Sequence, residues 1–142
     1  MLLSPEELGA WRGMLRVHSG LTKALDAELV RAHGLPLSSY EVLLFLADAP
    51  GGRLRMSELA DGVLLSRSGL TRLVDRLVPV GYVVRNACSD DGRGSYAELT
   101  PAGLSAVEAA RRTHLAGVRE YFLERLSDED QRTLGEIWDR VL

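Results

Sequence analysis

A stripe of largely apolar positions runs through the first quarter of the chain at spacings of three and four: Leu8, Trp11, Leu15, His18, Leu21, Leu25, Leu29 and Ala32. That period predicts one long amphipathic helix. Ser4-Pro5 opens it as N-cap and first-turn residue, and Gly34-Leu35-Pro36 closes it. Ser38-Ser39-Tyr40-Glu41 has the spacing of a capping box and opens a second helix through Val42, Leu43, Phe45 and Leu46. Pro50-Gly51-Gly52 ends it in a loop. A short helix from Met56 to Val63 follows, with Met56, Leu59, Ala60 and Val63 inward. Leu64-Leu65 then leads to Ser66, the N-cap of a helix with Leu70, Leu73, Val74 and Leu77 on its apolar face; Pro79 and Gly81 stop it.

Beyond that point the period changes. Tyr82 to Arg85 and Tyr96 to Leu99 have strand character, separated by the polar, glycine-bearing turn Ser89-Asp90-Asp91-Gly92-Arg93-Gly94-Ser95. This is a hairpin pattern. Thr100-Pro101 caps another long helix, with Leu104, Val107, Leu115, Val118, Phe122 and Leu126 apolar, and Ser127 caps a last one carrying Leu134, Ile137, Trp138 and Val141. The order is four helices, a hairpin and two helices. The helix pair before the hairpin has the spacing of a helix-turn-helix, and the hairpin that of a wing, so the expected class is a mainly α, α+β winged-helix fold.

Composition narrows the setting. At 142 residues the chain has the length of one domain, 46% hydrophobic and 26% charged, as in a soluble globular protein. One cysteine, Cys88, cannot close an intrachain disulfide and suits a reducing compartment. Charges interrupt the N-terminus where a signal peptide needs an apolar core, and the longest apolar run, Val42 to Ala47, is too short for a membrane span. A cytoplasmic protein without membrane contact is expected.

The net charge of −3 speaks against a nucleic-acid partner only until its distribution is examined. Residues 1–52 hold 4 basic and 6 acidic groups, and residues 96–142 hold 6 basic and 9 acidic. Residues 53–95 hold 7 arginines against 5 acids and are the only net-positive third. DNA binding needs a local basic surface rather than a basic protein.

Within that third, the helix from Ser66 to Leu77 sets Ser68, Thr71, Arg72, Asp75 and Arg76 opposite its apolar stripe. Its first turn offers backbone N–H groups and a positive dipole end to a phosphate. Arg67 and Arg72 have the fork geometry for guanine edges, and the Thr71 methyl suits a thymine methyl. The same face also reads as an ordinary solvated helix surface. The following wing shifts the balance: Arg93, at a glycine-flanked tip, suits a minor groove, and Asp91 is placed to hold it by a charge-assisted hydrogen bond.

The stretch RMSELADGVLLSRSGLTRLVDRLVPVGYVVRNACSDDGRGSYAELTPAG resembles the DNA-binding region of the MarR family of bacterial regulators. The matching parts are the SELAD-type helix, the SRSGLTRLVDRL recognition helix, the GYV strand start, the D-x-R wing and the LT-x-x-G helix start. The resemblance implies a single domain over 1–142, in which residues 1–35 and 104–142 dimerise and residues 36–103 form the DNA-binding lobe. It implies a homodimer on palindromic double-stranded DNA, in most cases a repressor released by a small aromatic or anionic effector. Carried over by position, Arg93 is the minor-groove arginine with Asp91 as its partner, and Ser66, Arg67, Ser68, Thr71 and Arg72 face the major groove or its phosphates; Arg76, on the same polar helix face, is a further DNA-binding candidate. Many members carry a second basic residue after the wing arginine; here Gly94 stands in that place.

Other residues support competing readings. Trp11, Met14, His18 and Tyr40 either line an effector cavity between dimerisation helices and DNA-binding lobe or serve ordinary core and dimer packing, since aromatic stripes are usually core. Cys88 offers a redox switch, but on the wing strand an inert thiol is the simpler reading. His18, His33 and His114 lack ligand spacing, so no metal is expected. No phosphate loop, nucleophile elbow or paired catalytic carboxylate is visible, so neither a cofactor nor an enzyme is expected. The functional alternative is a helical dimerisation or adaptor module working through protein contacts.

Overall fold

The computed structural model describes residues 2–87 and 94–142. Its elements run α1 (Pro5–His33), α2 (Leu37–Asp48), β1 (Arg53–Arg55), α3 (Met56–Gly62), α4 (Arg67–Val80), β2 (Val83–Ala87), β3 (Ser95–Leu99), α5 (Pro101–Tyr121) and α6 (Asp128–Val141). The strands form one antiparallel sheet in the order β1-β3-β2, with Arg55 opposite Tyr96 and Val83 opposite Leu99. The fold is mainly α with a winged-helix sheet. β1 was not among the expected strands; Arg-Leu-Arg is too short to show a period of two.

The capping chemistry places most boundaries. The Ser4 hydroxyl accepts from the Glu7 N–H at 3.2 Å and the Glu7 carboxylate accepts from the Ser4 N–H at 2.7 Å. At the other end of α1, Gly34 takes a left-handed φ of 63°. The capping box expected at Ser38 does not form. The helix starts earlier, at Leu37, whose N–H donates to Asp26 Oδ1 of α1 at 2.8 Å. A tertiary carboxylate thus satisfies a donor that a local serine was expected to satisfy, and Leu37 is buried against the core. Pro79, expected to stop α4, lies inside its last turn, where it removes one helical hydrogen bond; Gly81, at φ 89°, ends the helix.

The helix expected to reach Leu126 stops at Tyr121. Phe122 leaves helical geometry, a 3-10 turn covers Leu123–Arg125, and Ser127 with Asp130 makes the capping box that launches α6. Phe122 and Leu126 therefore sit in the connection. Gln131 Nε2 reaches back to the Leu123 and Leu126 carbonyls at 3.4 and 3.3 Å, satisfying acceptors that the turn leaves over.

The core gathers α2 residues Tyr40, Val42, Leu43 and Leu46 with Leu25 and Leu29 of α1, Leu59 and Ala60 of α3, Leu70, Leu73, Val74 and Leu77 of α4, Val83, Ala97, and Val107 and Ala110 of α5. α5 joins this core to the sheet at a close approach. Thr100 caps α5 by accepting from the Gly103 N–H at 3.0 Å, and its own N–H donates to the Tyr82 carbonyl at 3.0 Å. A Cβ on Gly103 would overlap the Tyr82 carbonyl oxygen and lie 2.7 Å from Leu99 Cδ1. Gly103→Ala is therefore expected to cost about 1–3 kcal/mol, the range of an overpacked core, read as a lower urea midpoint.

Two faces are left uncovered. Trp11, Met14, Leu15 and Val17 on the N-terminal half of α1 are exposed, and α6 buries no residue although Trp138 and Val141 lie along it. The chain exposes 9887 Å². A folded monomer of this mass is expected to expose only about 7,300 Å².

Candidate nucleic-acid interface

Leu59 and Ala60 of α3 and Leu70 and Leu73 of α4 share the buried core, which leaves the polar side of α4 facing outward. In the turn between them the Leu65 N–H returns to the Ala60 carbonyl at 3.0 Å, and Leu64, with φ 57°, is 90% exposed. Ser66 then caps α4: its hydroxyl accepts from the Gly69 N–H at 3.0 Å and lies 3.3 Å from Ser68 Oγ.

The 3.6-residue period sorts the polar side of α4 into rows. Arg67, Thr71 and Asp75 form one; Ser68 and Arg72 form its neighbour. Arg67, Ser68, Arg72, Asp75 and Arg76 are exposed and Thr71 is half-buried. Arg67 and Thr71 of the first row border a cleft of about 370 Å³ between α4, the start of α3 and the sheet, closed by Ser57, Arg85 and Ser95 among others. Arg72 and Arg76 stand outside it. The sites expected on α4 thus share one helix side, with Ser66 at its cap.

The sheet adds residues that the sequence reading missed. Arg85 lies in the same strand row as Val83, on the side of the sheet that packs against α4, and donates Nη1 to Asp75 Oδ1 at 3.0 Å and Nη2 to Ser95 Oγ at 3.2 Å. On the opposite row, the Arg53 and Arg55 guanidinium carbons sit 4.7 and 5.4 Å from the Tyr96 ring centroid, a cation–π pairing. The strand character of β2 was visible in the sequence. The partners were not, because they come from α4 and β3. Asp91, Arg93 and Cys88 lie outside the described residues.

The residues considered for an effector cavity separate. Tyr40 is 2% exposed, with its ring 4.8 Å from that of His114, while Trp11 and Met14 are on the uncovered face of α1. Burial raises the Tyr40 pKa and lowers that of His114, so both stay neutral near pH 7. His18 borders a wide, open cleft of about 610 Å³ between α1 and α2, with Thr22, Lys23, Asp26 and Glu41. His33 Nε2 is 2.6 Å from Thr113 Oγ1, an α1–α5 contact. Among the described residues, no three His, Cys, Asp or Glu side chains gather as a metal site, and no helix is long and apolar enough to cross a membrane.

This arrangement of a capped, arginine-bearing helix beside a three-stranded wing has close counterparts. The MarR family model matches residues 33–94. The structure of Sco3205, a MarR family transcriptional regulator from Streptomyces coelicolor crystallised with DNA, superposes with a TM-score of 0.92 at 38% identity, over 99% of this chain and 89% of that one. The chain belongs to the MarR family. A second MarR family regulator from S. coelicolor, AbsC, is similar at 34% identity and a TM-score of 0.91, over 99% and 95% of the two chains. The transcriptional repressor YetL of Bacillus subtilis is 30% identical over 112 residues, which span 76% of this chain and 66% of YetL. The 62 positions matched by the MarR family model include the whole of α4 and its cap.

Proposed function

We propose that this MarR family protein is a sequence-specific transcription repressor that binds a palindromic duplex operator as a homodimer. The observation that carries it is the polar side of α4: Arg67, Arg72 and Arg76 exposed on a helix whose other side is locked into the core and whose first turn is capped. A helix of this kind fits a major groove, with Arg72 and Thr71 toward base edges and Arg67, Arg76 and the first-turn N–H groups toward phosphates. Arg93, braced by Asp91, is assigned to the adjacent minor groove. The likeness to Sco3205, whose structure holds DNA, supports this reading, and the likeness to YetL supports repression.

Pairing is supported by the surplus surface and by the uncovered faces of α1 and α6, which are apolar and need a partner. A homodimer supplies it with residues 1–35 and 104–142, and presents the two lobes at 36–103 with the two-fold symmetry of a palindrome. A small aromatic or anionic effector is assigned to the region between α1 and α2, where the His18 cleft lies. It would release DNA by its greater affinity for the non-binding spacing of the lobes.

Binding to duplex from the chain's own upstream region, titrated against salt, tests the proposal. Specific binding is expected, with log affinity falling linearly with log salt at a slope of about −0.9 per phosphate neutralised. An absence of specific binding at low salt would favour the adaptor function instead.

A further inference from the structure

Asp75 is a carboxylate on the side of α4 assigned to DNA, where its charge opposes a phosphate backbone. It is 57% exposed in its side chain and contributes nothing to the core. Its contact explains its place. The carboxylate holds one end of the Arg85 guanidinium at 3.0 Å, and Ser95 holds the other at 3.2 Å. Ser95 is the first residue of β3 and pairs with Ala87, the last of β2, so the contact sits where the ladder opens into the wing. A planar fork bonded at both ends fixes direction as well as distance, which a lysine ammonium does not. α4, β2 and β3 are joined at this one side chain.

We propose that Asp75 is a positioning residue: through Arg85 and Ser95 it locks the base of the wing to the recognition helix, so that helix and wing meet DNA in one fixed relation. The inference rests on the DNA-binding reading. It has a feature that charge alone does not share, namely its sign. Deleting an exposed carboxylate from a DNA-facing surface strengthens binding if only electrostatics act. Loss of the lock weakens it.

The test compares wild type, Asp75→Ala, Asp75→Glu and Ser95→Ala in operator titrations at fixed salt, together with amide hydrogen exchange in β2 and β3. Asp75→Ala is expected to bind about two- to fivefold more weakly, the scale of one exposed ion pair. Its β2 and β3 amides should exchange faster. Asp75→Glu keeps the carboxylate and should stay within about twofold of wild type, and Ser95→Ala should lose less than Asp75→Ala. Equal or tighter binding by Asp75→Ala overturns the proposal. So does weaker binding with unchanged exchange, because Asp75 would then act on DNA and not through the wing. If wild type itself fails to bind, the DNA-binding reading falls, and the exchange of the Asp75→Ala amides alone decides whether the lock exists.

Discussion

A Trp11→Glu, Leu15→Glu double variant is expected to run as a monomer in sedimentation and to lose operator affinity by about 10²–10⁴-fold, the loss that follows when two linked binding modules become independent. Both residues are about half exposed, at 53% and 47%, and lie on the N-terminal part of α1, outside the core formed by the described residues. Buried charge without a partner is costly, so two carboxylates on this stripe oppose pairing strongly. They do not oppose folding of the lobe. α1 meets the core through Leu21, Leu25 and Leu29, further along the helix, and α4 is held from the other side by α3 and the sheet. Non-specific DNA binding per lobe should therefore survive at low salt while specific binding to a full palindrome collapses. A variant that stays dimeric and binds normally would show that this face of α1 is not the pairing surface.

The second large effect concerns reading rather than pairing. Arg72→Ala is expected to lower affinity for the operator by about 1–3 kcal/mol per half-site, the scale of a bidentate guanine contact, and to relax preference at one base pair. Arg76→Ala should instead weaken operator and unrelated duplex alike and reduce the salt slope by about one ion, as a phosphate contact does. Both side chains are exposed, neither is in the core, and the cap at Ser66 is untouched, so the unfolding midpoint should not move. Comparing each variant on operator and on scrambled duplex separates the two roles. Equal losses on both duplexes for Arg72→Ala would remove its assignment to a base edge.

Most of the helical frame was legible because its signals are local. A hydroxyl at Ser4, Ser66, Thr100 or Ser127 bonds an N–H three residues on, whatever surrounds it, and all four cap as their spacing predicts. The buried stripe Leu70, Leu73, Val74 and Leu77 follows from periodicity alone, and with it the side of α4 that must face outward. The errors share one cause. Ser38 has a capping sequence, but Asp26, eleven residues before Leu37, takes the Leu37 N–H instead. The helix after Thr100 has apolar positions as far as Leu126, but the chain must reverse to begin α6, so it breaks at Phe122.

The wing divides along the same line. Its two long strands were visible from their strand-forming residues and a glycine-bearing turn. β1 was not, since three residues become a strand only when β3 offers an edge to pair with. By itself, then, the sequence determined which side of α4 faces outward, which residues it carries, and that a hairpin follows. Only the tertiary structure decided that Arg85 meets Asp75 and Ser95, that Arg53 and Arg55 flank Tyr96, and that α1 and α6 are left with apolar faces uncovered. Capping and periodicity are set within a few residues along the chain. Contacts between elements depend on where the packed core places them, and no local pattern encodes that.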